Sequence, residues 1–210
     1  MKNSAVNKRV LFITQFSLLI AIEALFCFTP LGSLPAIGPI VATLAMIPVI
    51  ITALLMGAKA GAAMGAVTGL FSFIVWTFMP PSPVTAFLFT PFYYFGEFRG
   101  NFGSLLICFA PRIAVGAVTG LIYSALTGKS KEKDALKMVI SSFLGSLVNT
   151  FGVMFGIWLF FGKVYASLVG QAMILVVGTT ILTSGIPEAV VAAIICPAVV
   201  KPLKILLKNN

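Results

Sequence analysis

Residues 37–79 read IGPIVATLAMIPVIITALLMGAKAGAAMGAVTGLFSFIVWTFM, and Lys59 is the one formal charge among them. The turn Gly57-Ala58-Lys59 divides the stretch into two apolar runs, 37–56 and 60–79. Each has the length of about 20 residues that a helix needs to cross the hydrocarbon core of a bilayer. Two such runs joined by so short a turn predict an all-α integral membrane protein.

The rest of the chain repeats the pattern. A first run covers 10–29 and stops at Pro30-Leu31-Gly32. Pro80-Pro81-Ser82-Pro83 ends the third and opens a loop reaching about Phe102. A fourth helix is expected over 105–126 and a fifth over 135–161, on either side of the charged loop Gly128 to Asp134. From 164 to 200 only Glu188 is charged, too much for one span and awkward for two. The breaker Ser184-Gly185-Ile186-Pro187 places the start of a sixth helix near it, ending at Lys201-Pro202. Residues 165–183 then form a helical piece at the outer boundary or an extension into helix six.

Charge placement arbitrates the count. With six helices, Lys2, Lys8, Arg9, Lys59, Lys129, Lys131, Lys133, Lys137, Lys201, Lys204 and Lys208 share one side, against Arg99 and Lys163 on the other. The positive-inside rule makes the first side cytoplasmic, with both termini there. Seven spans would put the lysine-rich C-terminus outside. The expected architecture is a six-transmembrane-helix bundle in the cell membrane, one domain over 1–210, with a long outer loop between helices three and four. The run after Lys8-Arg9 lacks a small-residue cleavage site, so the first segment is read as retained.

Composition excludes several classes of function. Hydrophobic residues are 60% of the chain, charged residues 9%, and mean hydropathy is +1.11; a soluble domain carries about 25% charge. The net charge of +9 sits at the ends and in one loop rather than in a basic stripe, so nucleic acid is not the partner. There is no histidine, and Cys27, Cys108 and Cys196 each lie in an apolar run. No metal site or disulfide framework is expected, and no cofactor. Thr127-Gly128-Lys129-Ser130 imitates the end of a phosphate-binding loop, but that pattern needs glycine where Tyr123 stands. Without paired carboxylates or a serine–lysine site, the chain is not read as an enzyme.

An ionisable group inside a bilayer costs about 2.5–3.5 kcal/mol on insertion scales, so each needs a reason. Glu23, Arg112 and Glu188 are the three. Arg112 follows Pro111 about seven residues into the expected helix four, roughly 10 Å below the outer surface. Glu188 follows Pro187 near the outer start of helix six. Both can face one outward cavity, as a mutual ion pair or as ligand contacts; Glu23 is an equal candidate for the arginine's partner. The aromatic loop carries Phe87, Phe89, Phe92, Tyr93, Tyr94, Phe95, Phe98 and Phe102 with Glu97 and Arg99. It reads as an interfacial belt or as a lid over a pocket. Asn149 is the other intramembrane polar candidate. Gly57, Gly61, Gly65 and Gly69, then Gly116 and Gly120, then Gly152 and Gly156, recur every fourth position. That spacing suits close helix packing or a sliding surface.

Taken in order, these stretches resemble the substrate-binding S components of energy-coupling factor (ECF) vitamin transporters, in the branch with pantothenate and folate carriers. The resemblance rests on Thr29-Pro30-Leu31-Gly32, Ile47-Pro48-Val49-Ile50, Leu54 to Gly61, Ala110-Pro111-Arg112-Ile113, Gly116 to Tyr123, Asn149-Thr150 and Leu159-Phe160-Phe161-Gly162. Each is short and apolar; their order and spacing across about 10–203 carry the likeness. It implies six helices, cytoplasmic termini, and a vitamin pocket facing outward under the loop between helices three and four. It also implies a membrane T subunit, two cytoplasmic ATPases, and toppling of the whole subunit to deliver its load. Ser17 and Ala21 match the family's small-xxx-small pair for T-subunit docking, with serine in place of the more usual alanine.

Pantothenate is the best expectation for substrate. Arg112 would bind its carboxylate, Asn149 and Tyr93 or Tyr94 its hydroxyl and amide groups, and Trp76 and Phe89 would shape the walls. Folate would use the same arginine with ring stacking, and Glu97 and Glu188 would favour a zwitterionic or cationic ligand. Outside this class stand a non-transport receptor and an ion-coupled secondary transporter working through Glu23 or Glu188. No inverted repeat relates 1–105 to 106–210 to support the transporter.

Overall fold

The computed structural model describes residues 8–29, 44–128, 134–170 and 172–208. Pro30-Leu31-Gly32, residues 37–43 of the second run, Lys2, Lys129, Lys131, Lys133 and the side chains of Lys8 and Lys208 lie outside the described set. Helices α1 (Lys8–Phe28), α2 (Met46–Met56), α3 (Ala58–Phe78), α4 (Phe102–Thr127), α5 (Asp134–Val169), α6 (Met173–Thr180) and α7 (Ile186–Lys208) make the fold nearly all helical. A 3-10 helix (Pro83–Leu88) and a small antiparallel hairpin, β1 (Tyr94–Phe95) with β2 (Phe98–Arg99), interrupt it between α3 and α4. Among the described residues five helices are long and apolar enough to cross a membrane, and α2 is a shorter apolar one.

Local chemistry explains the joints. Gly57 ends α2 with φ +89, a conformation that costs glycine little, and donates its N–H to the Ala53 carbonyl at 3.0 Å. It makes the turn rather than joining the glycine face expected from its spacing. Asn101 caps α4: its side chain accepts from the Gly103 N–H at 2.7 Å, while the Ser104 hydroxyl accepts from the Asn101 N–H at 3.0 Å. The same hydroxyl donates to the Phe87 carbonyl at 2.7 Å, tying the 3-10 helix to the head of α4.

The C-terminal third departs most from expectation. Helix α5 does not stop at 161 but runs to Val169, where Gly170 turns the chain at φ +69. Residues 184–187 are no break. The π turn Ile181–Gly185 joins α6 to α7 as one apolar span, so 173–183 lead into the last helix while 165–169 belong to α5. Pro187 has no N–H for the Thr183 carbonyl, and its ring crowds that group. The helix answers by widening: the Ile186 N–H reaches five residues back to Ile181. Pro202 does not end α7 either, which continues to Lys208.

Two apolar layers sandwich a polar one. Val115, Met138, Ala192 and Cys196 belong to one buried cluster, and Ile107, Met154, Ile157 and Val176 to the other. Between them on α4, α5 and the α6–α7 span lie Arg112, Asn149 and Glu188, all buried. Helices α3 and α4 are held backbone to backbone by their glycines. A Cβ on Gly61 would meet the Gly116 carbonyl, and one on Gly65 would enter the Arg112 carbonyl. The spacing therefore encodes close packing of these two helices.

Candidate functional site

Arg112 lies ten residues past the start of α4 at Phe102, about 15 Å along it at 1.5 Å per residue and so deeper than the sequence placed it. Its neighbour in sequence explains its pose. Pro111 cannot donate to the carbonyl four residues back, that of Ile107. Arg112 takes up this carbonyl itself, donating from Nη1 at 2.8 Å. Its guanidinium carbon stands 5.5 Å from the centre of the Phe89 ring, a cation–π contact. Phe89 in turn stacks on Trp76 with centroids 4.5 Å apart. The arginine is 5% exposed, and its Nε has no hydrogen-bond partner among the described residues.

These groups line a cavity of about 340 Å³ at the end of the helices where α3 gives way to the 3-10 helix. That lies at the lower end of the ~300–1,000 Å³ common for small-molecule sites. Arg112, Asn149, Trp76, Phe89 and Glu188 all reach it. Asn149 brings an Oδ1 without a hydrogen-bond partner among the described residues. A buried arginine against aromatic walls, opposite an amide with a spare acceptor, suits a small ligand with an anionic end and hydrogen-bonding groups elsewhere.

The structure does not bring Tyr93, Tyr94 and Glu97 to this cavity. They sit in and just before the hairpin, with Tyr94 70% exposed and Glu97 exposed. The aromatic loop divides in two: Phe87 and Phe89 are buried by docking of the 3-10 helix, whereas Phe92 and Phe102 point outward. Glu23 is fully buried between α1 and α3, accepting from Cys27 Sγ at 3.2 Å and contacting Thr68, and does not line the cavity. Ser17 and Ala21 are both exposed on α1.

The family model for the substrate-specific component of ECF transporters matches residues 11–200. The chain belongs to this family. It is 32% identical over 166 residues to the pantothenic acid transporter PanT of Lactococcus lactis subsp. cremoris (strain MG1363), a match covering 79% of each chain. Its fold is similar to that of ThiT from Listeria monocytogenes, with a TM-score of 0.54 at 19% identity over 91% of this chain and 96% of that one. The chain is thus a substrate-binding membrane subunit of a transporter, not an enzyme.

As an ECF substrate-specific component it presents cavity residues that sequence reasoning missed. Thr180 and Ser184 precede Glu188 at intervals of four, and all three line the cavity. The interval was visible in the sequence, but a helix break assumed at 184–187 separated its members. Thr150 on α5 completes this wall and abuts Gly185, where an added Cβ would lie 2.8 Å from its methyl group.

Proposed function

We propose that this ECF substrate-specific component captures pantothenate from outside the cell and delivers it inward together with a T subunit and two cytoplasmic ATPases. The observation that carries the substrate is Arg112, a buried cation with an unpartnered Nε in a cavity of suitable size. The relative PanT, named for pantothenic acid, supports it. In this reading the guanidinium binds the carboxylate, Asn149 accepts from the amide or a hydroxyl, and Trp76 and Phe89 enclose the apolar middle. The chain forms one domain over 1–210 and crosses the membrane six times, with the apolar run 37–56 that holds α2 as one crossing. Both termini are cytoplasmic, and the segment between α3 and α4 covers the cavity on the outside.

Calorimetry on the purified chain with pantothenate, folate and other vitamins tests this. Pantothenate binds in preference to folate, because Arg112 and Asn149 reach one cavity and together suit its carboxylate and its amide or hydroxyl groups. Folate bound more tightly than pantothenate overturns the assignment.

The T-subunit contact is assigned to the exposed α1 face bearing Ser17 and Ala21. Small side chains there let another helix approach closely. Ala21→Phe therefore leaves vitamin binding by the isolated chain unchanged but abolishes co-purification with the T subunit and cellular uptake. Uptake at the wild-type rate places the contact elsewhere.

A further inference from the structure

Thr180 departs from the pattern of most helix threonines of this chain, and unlike Thr119, which is also buried without a hydrogen-bond partner among the described residues, it lines the cavity. Thr14, Thr52, Thr68, Thr77, Thr127, Thr179 and Thr183 each donate the hydroxyl to the carbonyl four residues back, at 2.7–3.0 Å. For Thr180 that carbonyl belongs to Val176, which the Thr179 hydroxyl also approaches, at 3.1 Å, beside its own bond to Leu175. Thr180 is 2% exposed, lines the cavity, and its Oγ1 has no hydrogen-bond partner among the described residues. A buried hydroxyl without a partner is costly. Its own helix does not take up this hydroxyl, and the cavity it lines is where a partner can arrive.

The π turn makes this wall. Widening at Ile181–Gly185 lets one helical span continue past Pro187 while Thr180, Ser184 and Glu188 all reach the cavity. π turns of this kind occur often at functional sites. Gly185 lets the turn lie against Thr150 of α5, where any larger residue would push the wall away.

We propose that Thr180 is the specificity-determining residue for the hydroxyl-bearing end of the ligand, the end away from the carboxylate held by Arg112. This rests on the pantothenate reading and deepens it. The Thr180 hydroxyl exchanges a hydrogen bond with a ligand hydroxyl, so an acid of the same shape without hydroxyls leaves Thr180 unpartnered and is rejected. Sites built to hydrogen-bond a substrate hydroxyl discriminate strongly against analogues that lack it.

The experiment is calorimetry with two ligands, pantothenate and the analogue in which both hydroxyls are replaced by hydrogen, on wild type, Thr180→Val and Thr180→Ser. Wild type prefers pantothenate by at least about tenfold, or about 1.4 kcal/mol. Thr180→Val loses most of that preference through weaker pantothenate binding, while its affinity for the deoxy analogue stays at the wild-type value and certifies a folded site. Thr180→Ser retains the preference. A Thr180→Val protein that keeps the wild-type preference overturns the inference alone, and one that binds neither ligand assigns Thr180 a purely structural role. Wild-type protein that fails to bind pantothenate overturns the substrate reading beneath it.

Discussion

Arg112→Ala weakens pantothenate binding by at least about 100-fold while the ligand-free protein stays folded. The size follows from what is lost. A hydrogen bond to a charged group contributes about 1.5–3 kcal/mol, and an arginine–carboxylate pair commonly makes two; each 1.4 kcal/mol is a factor of ten. Ligand-free stability changes little because two effects oppose. The Ile107 carbonyl loses its 2.8 Å donor, but a buried cation is removed from a low-dielectric interior. Arg112→Lys separates charge from geometry. A lysine ammonium on a flexible stem lacks the planar fork, so it recovers part of the affinity but cannot hold Ile107 and the carboxylate in the arginine's arrangement. Calorimetry reads the affinity, and thermal unfolding with and without pantothenate reads the fold. Binding that survives Arg112→Ala returns the arginine to a structural role beneath Phe89.

Much of this site was legible in the sequence because the bilayer makes intramembrane polarity rare. Arg112, Asn149 and Glu188 stood out by chemistry alone, and the structure sets all three at one cavity. Pro111 entered the sequence reading only as the residue before Arg112; its effect, freeing the Ile107 carbonyl that holds the arginine, needs three dimensions. Thr180 and Ser184 were hidden for a different reason. Hydroxyl residues are common in apolar helices, where they normally bond to their own backbone, and only coordinates show that Thr180 does not. Of the two readings of residues 165–183, the extension into helix six holds for 173–183; what failed was taking Ser184 to Pro187 as a break at which that helix begins. In a membrane-spanning helix a proline's lost bond can be absorbed by local widening, which is what the π turn does. The tyrosines in and beside the hairpin misled by composition: aromatic density marked the loop, but it is Phe87 and Phe89, on or beside the 3-10 helix docked through Ser104, that are buried, with Phe98 half-buried against Phe87.

The glycine spacing carries a second large effect. Gly65→Val both destabilises the protein and removes most of its pantothenate binding. A Cβ at residue 65 would overlap the carbonyl of Arg112 and crowd the Cα of Ile113 at 2.9 Å. These are backbone atoms of a packed helix, with no flexible side-chain end to move aside. Helix α4 must shift away from α3, and the residue that moves first is the arginine itself. Overpacking of this kind costs about 1–3 kcal/mol. Gly61→Val provides the comparison. Its Cβ would lie 2.7 Å from the Gly116 carbonyl and 2.6 Å from the Ala53 side chain, one turn farther from the cavity. Unfolding temperature therefore falls for both variants, whereas pantothenate affinity falls at least about tenfold only for Gly65→Val. Gly178→Ala, with nothing within 4 Å of the added carbon, leaves the affinity unchanged and raises the unfolding temperature slightly through helix propensity. Equal affinity losses at residues 61 and 65 show that the interface acts through global stability; a loss confined to 65 shows that the α3–α4 contact sets the position of Arg112.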